Sequence, residues 1–350
     1  MNIPELLAKL VMEDEAGRMN AAEDLGYANA PEAILPLVEL LAAERSRKVR
    51  ETIFLALERM AGPEVLDRVA TLLDSEDAFL RNQAVGLLQR KGPASAPVLL
   101  VRMRDADPDV RKFVVDAAAD ISAAAIEPIY EAAIRDPDPN VVIAALEHVG
   151  EQRHRRFKPA VEEIFTKAAE PMLVGAAFAT LLQIGDAASW ECIGRRYPTA
   201  ASVPNWELSW WIRALGEFGP AGEIEVFHEL LGRHDGNVAP DVIDALERFQ
   251  LRHGRVAITG DFWTILRELI PALTAPEDKL QLLRVLGGFG APAAIGDYLA
   301  ELLEQGDRMT KLGAIEGLKR LARPDLLARL RDRRGLEPDA EIAEAMGECP

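Results

Sequence analysis

Four segments of one pattern recur along the first half of the chain: SRKVRETIFLALERMAG from Ser46, DAFLRNQAVGLLQRKG from Asp77, DPDVRKFVVDAAADI from Asp107 and DPNVVIAALEHVG from Asp138. Their starts lie 31, 30 and 31 positions apart. A fixed period of that length signals stacked copies of one small unit, each burying its apolar face against its neighbours. Every segment opens on Ser or Asp, whose side-chain oxygen accepts from the free N–H groups at a helix start. In the last two the next residue is Pro108 or Pro139, favoured at the first helical position. An apolar anchor follows at Val49, Leu80, Val110 and Val141, then an arginine column at Arg50, Arg81 and Arg111 that Val142 breaks.

Between these segments lie second apolar runs from Pro31, Pro63, Ala94 and Ala125. In the run from Pro63, Leu66, Val69, Leu72 and Leu73 repeat at spacings of three and four, one face of a helix. No useful length of chain alternates at period two, so no sheet is expected and the fold class is all-α. Later helices of the first kind are expected over Pro171–Ile184, Asn205–Phe218, Pro240–Leu251, Glu277–Phe289 and Arg308–Leu321, with an opening unit near Gly17–Leu25. Gly150, Gly185, Gly219, Gly254 and Gly290 are placed to end helices. A short closing helix is expected from Glu337. The chain reads as one domain over 1–350, with regular repeats at 31–150, divergent ones at 151–335 and a cap at 336–350.

These residues, above all the Asp-Pro-Asp-Val-Arg run from Asp107 to Arg111, resemble the HEAT-like repeats of the bilin-lyase type. The resemblance is close over about 31–150 and continues by spacing. It implies a right-handed α-solenoid of about ten antiparallel helix pairs, with inner helices lining a concave surface. It also implies that Asp77 and Asp107, with Arg50, Arg81 and Arg111, form a ladder joining neighbouring repeats. The resemblance does not fix function, since members include lyase subunits, hydroxylases, glycosylases and scaffolds.

Net charge is −17, which opposes binding to nucleic acid or to an anionic membrane surface. The two cysteines, Cys192 and Cys349, fit no metal or redox spacing. The N-terminus lacks a basic segment followed by an unbroken apolar stretch, and no run of eighteen apolar residues exists. A cytoplasmic, bacterial-type protein without a membrane span is expected.

Catalytic chemistry finds little support. Iron hydroxylases of this repeat class use paired His-Glu motifs, and His228-Glu229 stands alone. The histidines His148, His154, His228, His234 and His253 form no helical pair at three or four residues and are expected on the surface or in turns. Cys192, near Arg195 and Arg196, is expected as a small core residue. The GGFGAPAAIG stretch from Gly287 follows a helix rather than a strand, so it is not a dinucleotide fingerprint. No cofactor and no metal are expected.

Two stretches suit a partner. In NWELSWWIRALGEFG, Leu208, Trp211, Ile212, Leu215 and Phe218 form a core stripe, while Trp206, Trp210, Arg213 and Glu217 lie opposite. Tryptophan and arginine are enriched where binding energy concentrates. The loop Arg195–Asn205 is long enough to cover those indoles. The stretch EQRHRRFK gathers Arg153, Arg155 and Arg156 in one inter-helix loop of an acidic chain. A third basic stretch runs from Lys319 to Arg334. The expected function is a non-catalytic scaffold binding a protein partner on the concave face. The alternatives are a bilin-lyase-like subunit handling a small planar ligand and, against the charge balance, a nucleic-acid binder.

Overall fold

The capping residues read from the sequence begin helices in the structure, a computed structural model that describes residues 2–12, 14–121, 124–233, 237–290 and 293–347. His234 and Cys349 lie outside the described residues. Ser46 Oγ accepts from Val49 N at 3.5 Å. Asp77, Asp107 and Asp138 each accept through Oδ1 from the amide two residues on, at 2.9, 2.9 and 2.8 Å. Each bond satisfies one of the donors that a helix start leaves open. The device recurs late in the chain, where Asp307 accepts from Thr310 N at 2.8 Å.

The described residues form twenty-two α-helices, and the chain divides into two compact units. Unit 1 is Met1–Val161 with Ala168–Thr180; unit 2 is Glu162–Lys167 with Leu181–Pro350. Unit 1 holds α1 (Ile3–Lys9), α2 (Glu15–Ala28), α3 (Ile34–Ala43), α4 (Arg47–Arg59), α5 (Pro63–Ala70), α6 (Ala78–Arg90), α7 (Ala96–Arg102), α8 (Pro108–Ala118), α9 (Glu127–Ala133) and α10 (Pro139–Glu151). Here α2, α4, α6, α8 and α10 pack successively as one layer, called layer A, and α3, α5, α7 and α9 as a second, layer B. Each layer B helix also packs on the layer A helix that follows it.

The helices α11 (Lys158–Lys167) and α12 (Pro171–Ile184) give residues to both units. Unit 2 continues with α13 (Ser189–Arg196), α14 (Leu208–Phe218), α15 (Ile224–Arg233), α16 (Ala239–His253), α17 (Gly260–Ala272), α18 (Pro276–Leu286), α19 (Ala293–Gln305), α20 (Arg308–Leu321), α21 (Pro324–Arg333) and α22 (Ala340–Gly347). Its layer A is α14, α16, α18 and α20, with α15 against α17 in layer B and α22 on α20 and α21. Packing between chain neighbours in two layers makes the fold an all-α solenoid. Among the described residues there is no strand, and one isolated bridge joins Val256 and Phe289.

Stripes at spacings of three and four build the core. Val49, Ile53, Phe54 and Leu57 on α4 are buried, as are Val110, Val114 and Val115 on α8. Each such side chain contributes about 1.5–3 kcal/mol when fully removed from water. In unit 2 neighbouring layer A helices meet at small residues. A Cβ on Gly216 would lie 2.6 Å from the Ala245 carbonyl oxygen, and one on Gly287 would lie 2.0 Å from that of Gly317. Glycine is what lets these backbones approach.

Two of the five glycines placed at helix ends do something else. Gly150 lies inside α10, and Arg153 takes the left-handed conformation instead, at φ 54°. His154 N reaches back to Val149 O at 2.9 Å, satisfying a terminal carbonyl. Gly287 caps α18, while Gly290 N donates to Val256 O at 2.9 Å beside the bridge. Of the remaining three, Gly254 ends α16 with φ 70°.

Candidate functional site

The arginine column splits into three arrangements. Arg50 Nη1 donates to Asp77 Oδ2 at 2.7 Å, across from α4 to the cap of α6. Arg111 grips Asp136 with Nε and Nη2, each 2.7 Å from a carboxylate oxygen. Arg81 does not reach Asp107. Its Nη1 donates to Ser75 O at 2.6 Å and its guanidinium lies over the Phe113 ring, while Asp107 serves its own helix start. The loop ahead of each cap decides which acceptor an arginine meets, so the three residues do not form one continuous ladder. Burial alone would raise the Asp136 carboxyl. The Arg111 hydrogen bonds and the Asp138 amide outweigh it and hold it below the ordinary carboxylate range.

The core stripe of α14 is buried at Leu208, Trp211, Ile212, Leu215 and Phe218. A 3-10 turn at Asn205–Glu207 precedes it and presents Trp206, which is 53% exposed. Trp206 and Trp210 meet edge to face with centroids 6.4 Å apart, and Arg213 is exposed one turn further along. Arg213 has no ion pair among the described residues. The loop after α13 does not cover Trp206. It buries Tyr197, Ala200 and Val203 instead, while Trp190 packs against Trp211 at 5.4 Å.

Next to Trp206 in the chain stands a buried acid. Glu207 is 1% exposed, and Tyr197 Oη donates to its Oε2 at 2.5 Å. Arg196 Nε donates to Tyr197 Oη at 3.0 Å and Arg196 Nη1 to Phe165 O at 2.9 Å. Burial raises the Glu207 carboxyl above its ordinary range, and the Tyr197 hydrogen bond offsets this in part. Burial, then the Glu207 bond, pushes the Tyr197 hydroxyl up to about 12, so it is a neutral donor. Cys192 is 1% exposed, its sulfur 3.2 Å from Thr166 Oγ1, which is the setting of a small core residue.

In unit 1, Arg153 and Arg155 are exposed with no ion pair among the described residues. Arg156 is committed: its guanidinium bonds Glu127 and also Glu131, the latter at 2.6 Å. It ties the loop to α9. Of the described histidines His154 lies in the turn after α10, whereas the other three sit within helices. His148 sits within α10 with Nε2 3.2 Å from Asp116 Oδ1. His154 packs on Tyr130, His228 stacks on Phe262, and His253 Nε2 lies 2.9 Å from Gly219 O. All four are half-buried.

A charged network on layer A of unit 2 has no counterpart in the sequence reading. Arg248 Nη1 donates to Glu217 Oε1 at 2.6 Å and its Nε to Asp244 Oδ2 at 2.7 Å, joining α14 to α16. Glu247 Oε2 accepts from Arg284 Nη2 at 2.6 Å and from Gln281 Nε2 at 2.9 Å, joining α16 to α18. Arg320 Nη1 on α20 stands 3.9 Å from Glu247 Oε1. Opposite charges 31 positions apart, as at Glu217 and Arg248, were the available signal.

No helix among the described residues is long and apolar enough to cross a membrane. A search of curated proteins finds no match. Among solved structures the chain is similar to YibA of Escherichia coli, with 16% identity, 71% of this chain and 93% of that chain covered, and a TM-score of 0.42. It is similar to the complex of CpcE and CpcF of phycocyanin lyase from Nostoc sp. PCC7120, with 17% identity, coverage of 71% and 94%, and a TM-score of 0.28. It is also similar to Kap121p, with 13% identity, coverage of 99% and 41%, and a TM-score of 0.46. The family described as HEAT repeats matches residues 3–89 and 96–183, together half of the sequence. With capped helix pairs stacked in two layers over those residues, the chain belongs to the HEAT repeat family.

Proposed function

We propose that this protein is a non-catalytic cytoplasmic scaffold that holds a protein partner on layer A of unit 2, with Trp206, Trp210 and Arg213 at the centre of the contact. The supporting observation is an edge-to-face indole pair of which Trp206 is 53% exposed, beside an arginine with no ion pair among the described residues. Indole surface left in water gains free energy when a partner covers it, and tryptophan and arginine carry a large share of interface energy. Arg153 and Arg155 offer a second, separate contact in unit 1, with Arg156 held by Glu127 and Glu131.

The test is affinity capture from the native cell with the wild type and with Trp210→Ala and Arg213→Ala. A partner retained by the wild type and lost at least tenfold by both variants supports the assignment. Capture unchanged in both contradicts it. Tetrapyrroles added to the purified protein should leave tryptophan fluorescence unchanged. Saturable quenching that Trp206→Phe removes would favour a planar ligand instead.

A further inference from the structure

We propose that Arg284 and Arg320 form a recognition site on layer A of unit 2 for the carboxylates of an acidic peptide segment in a partner protein. The inference goes beyond the scaffold assignment, because it rests on different residues and names the partner's chemistry.

The geometry leaves positive charge uncompensated. One carboxylate, Glu247, faces two guanidiniums. Its Oε2 is taken by Arg284 and Gln281, at 2.6 and 2.9 Å. Its Oε1 stands 3.9 Å from Arg320 Nη1, beyond hydrogen-bonding distance. The Arg284 Nε is buried without a hydrogen-bond partner. A third guanidinium adds to the excess, since Arg255 Nη2 donates to the carbonyls of Arg320 and Leu321 at 3.0 and 2.6 Å rather than to an acid. Lys319 is matched by Glu316 at 3.0 Å, and Arg248 by Glu217 and Asp244. Around Glu247, then, Arg255, Arg284 and Arg320 share one carboxylate, in a chain whose net charge is −17.

Both members of the pair are partly desolvated, with side-chain exposure of 40% for Arg284 and 26% for Arg320. Burial lowers the Arg320 pKa below the ordinary arginine value, Glu247 opposes that shift, and the Arg284 charge adds to it. A desolvated cation short of acceptors is stabilised by an added carboxylate, which guanidinium geometry receives through paired N–H groups.

The surroundings favour a peptide over a nucleic acid. Asp244 and Glu247 stand one turn apart on α16, and a continuous phosphate backbone laid along that helix would meet both. A peptide can set its carboxylates at the arginines and place apolar side chains elsewhere. Leu251, on the same helix, is 76% exposed. Successive layer A helices spaced about 8–10 Å apart put α14 and α18 roughly 20 Å apart, the span of about six extended residues.

The experiment uses the full chain and a fluorescein-labelled hexapeptide alternating glutamate and leucine, read by anisotropy at about 0.15 M salt. There the screening length of about 8 Å suppresses repulsion from the rest of the chain while sparing contact pairs. Expected are saturable binding, at least tenfold weaker binding of the glutamine-for-glutamate peptide, and a tenfold loss in Arg320→Gln and in Arg284→Gln. Glu247→Gln should bind several-fold more tightly, because it removes the competing carboxylate and keeps both guanidiniums. That gain also keeps the test decisive if either arginine variant fails to fold. No binding by the wild type, indifference to Arg320→Gln, or weakening in Glu247→Gln overturns the proposal. Trp210→Ala reports on the scaffold assignment separately, so the two can fail independently.

Discussion

Arg50 on α4 donates to Asp77 at 2.7 Å, and the other oxygen of Asp77 accepts from Phe79 N at 2.9 Å to cap α6. One carboxylate thus starts a helix and fastens it to the helix before. Where the loop differs, the same task passes to other residues: Arg111 holds Asp136 through two bonds, and the amide of Asp138 donates to that carboxylate at 2.9 Å.

Arg111→Gln should cost about 2 kcal/mol or more at neutral pH, because it leaves Asp136 buried without its cation. The Asp136 pKa is lowered by the pairing, so the contribution is present above the unfolded value near 3.9 and lost as pH falls through the lowered folded value. Urea midpoints of wild type and variant should differ clearly at pH 7 and converge at strongly acidic pH. An equal gap at both would contradict the pairing as its source.

His148 and Asp116 tie α10 to α8. The hydrogen bond to Asp116 raises the His148 pKa. Burial pushes Asp116 up, but His148 and Lys112 together hold it below the ordinary range. Stabilisation from protonated His148 is complete below about pH 6.5 and disappears as pH rises through the raised value. His148→Gln should therefore lose about 1 kcal/mol relative to wild type near pH 6 and little near pH 9. Melting curves at the two pH values decide it, and a loss that grows toward alkaline pH would refute it.

Glu207→Gln should stabilise the fold at neutral pH, on the order of 1 kcal/mol or less. A carboxyl whose folded pKa is raised destabilises once pH exceeds the unfolded value near 4.3. Glutamine keeps an acceptor for Tyr197 and carries no charge to desolvate. Thermal melts at pH 7 and pH 4 should show a gain at the higher pH that shrinks at the lower. Destabilisation at pH 7 would mean that Arg196 and Tyr197 compensate the charge fully.

Gly216→Ala should destabilise unit 2 by about 1–3 kcal/mol, since the added methyl meets the Ala245 backbone at 2.6 Å. Gly222→Ala, where nothing lies within 4 Å, serves as the control. Equal denaturation midpoints for the two variants would show that the helices can part without cost.

What was legible in the sequence acts over short range. A cap residue meets an amide two or three positions on, and an apolar stripe is set by helical spacing, so period and core could be read directly, while the two layers followed from the resemblance to HEAT-like repeats. The acceptors of the arginines could not. Whether Arg81 meets Asp107 or Ser75 O depends on the path of the intervening loop. Tyr197 and Glu207 meet across a loop of ten positions that has no periodic signature. Glu247 and Arg284 are 37 positions apart, outside the thirty-one-residue register, so their column is invisible to it. The exposure of Trp206 turned on which loop residues fold inward, a matter of packing rather than pattern.

In a solenoid of this kind stability passes between neighbouring helices along the stack. Ala117 is fully buried within α8, and a proline there removes a backbone hydrogen bond and breaks the helix at about 3 kcal/mol or more. Hydrogen exchange on Ala117→Pro measures that coupling helix by helix. Protection should fall first in α8, then in α6 and α10, with α2 nearly unchanged. An equal loss from α2 to α10 would contradict it.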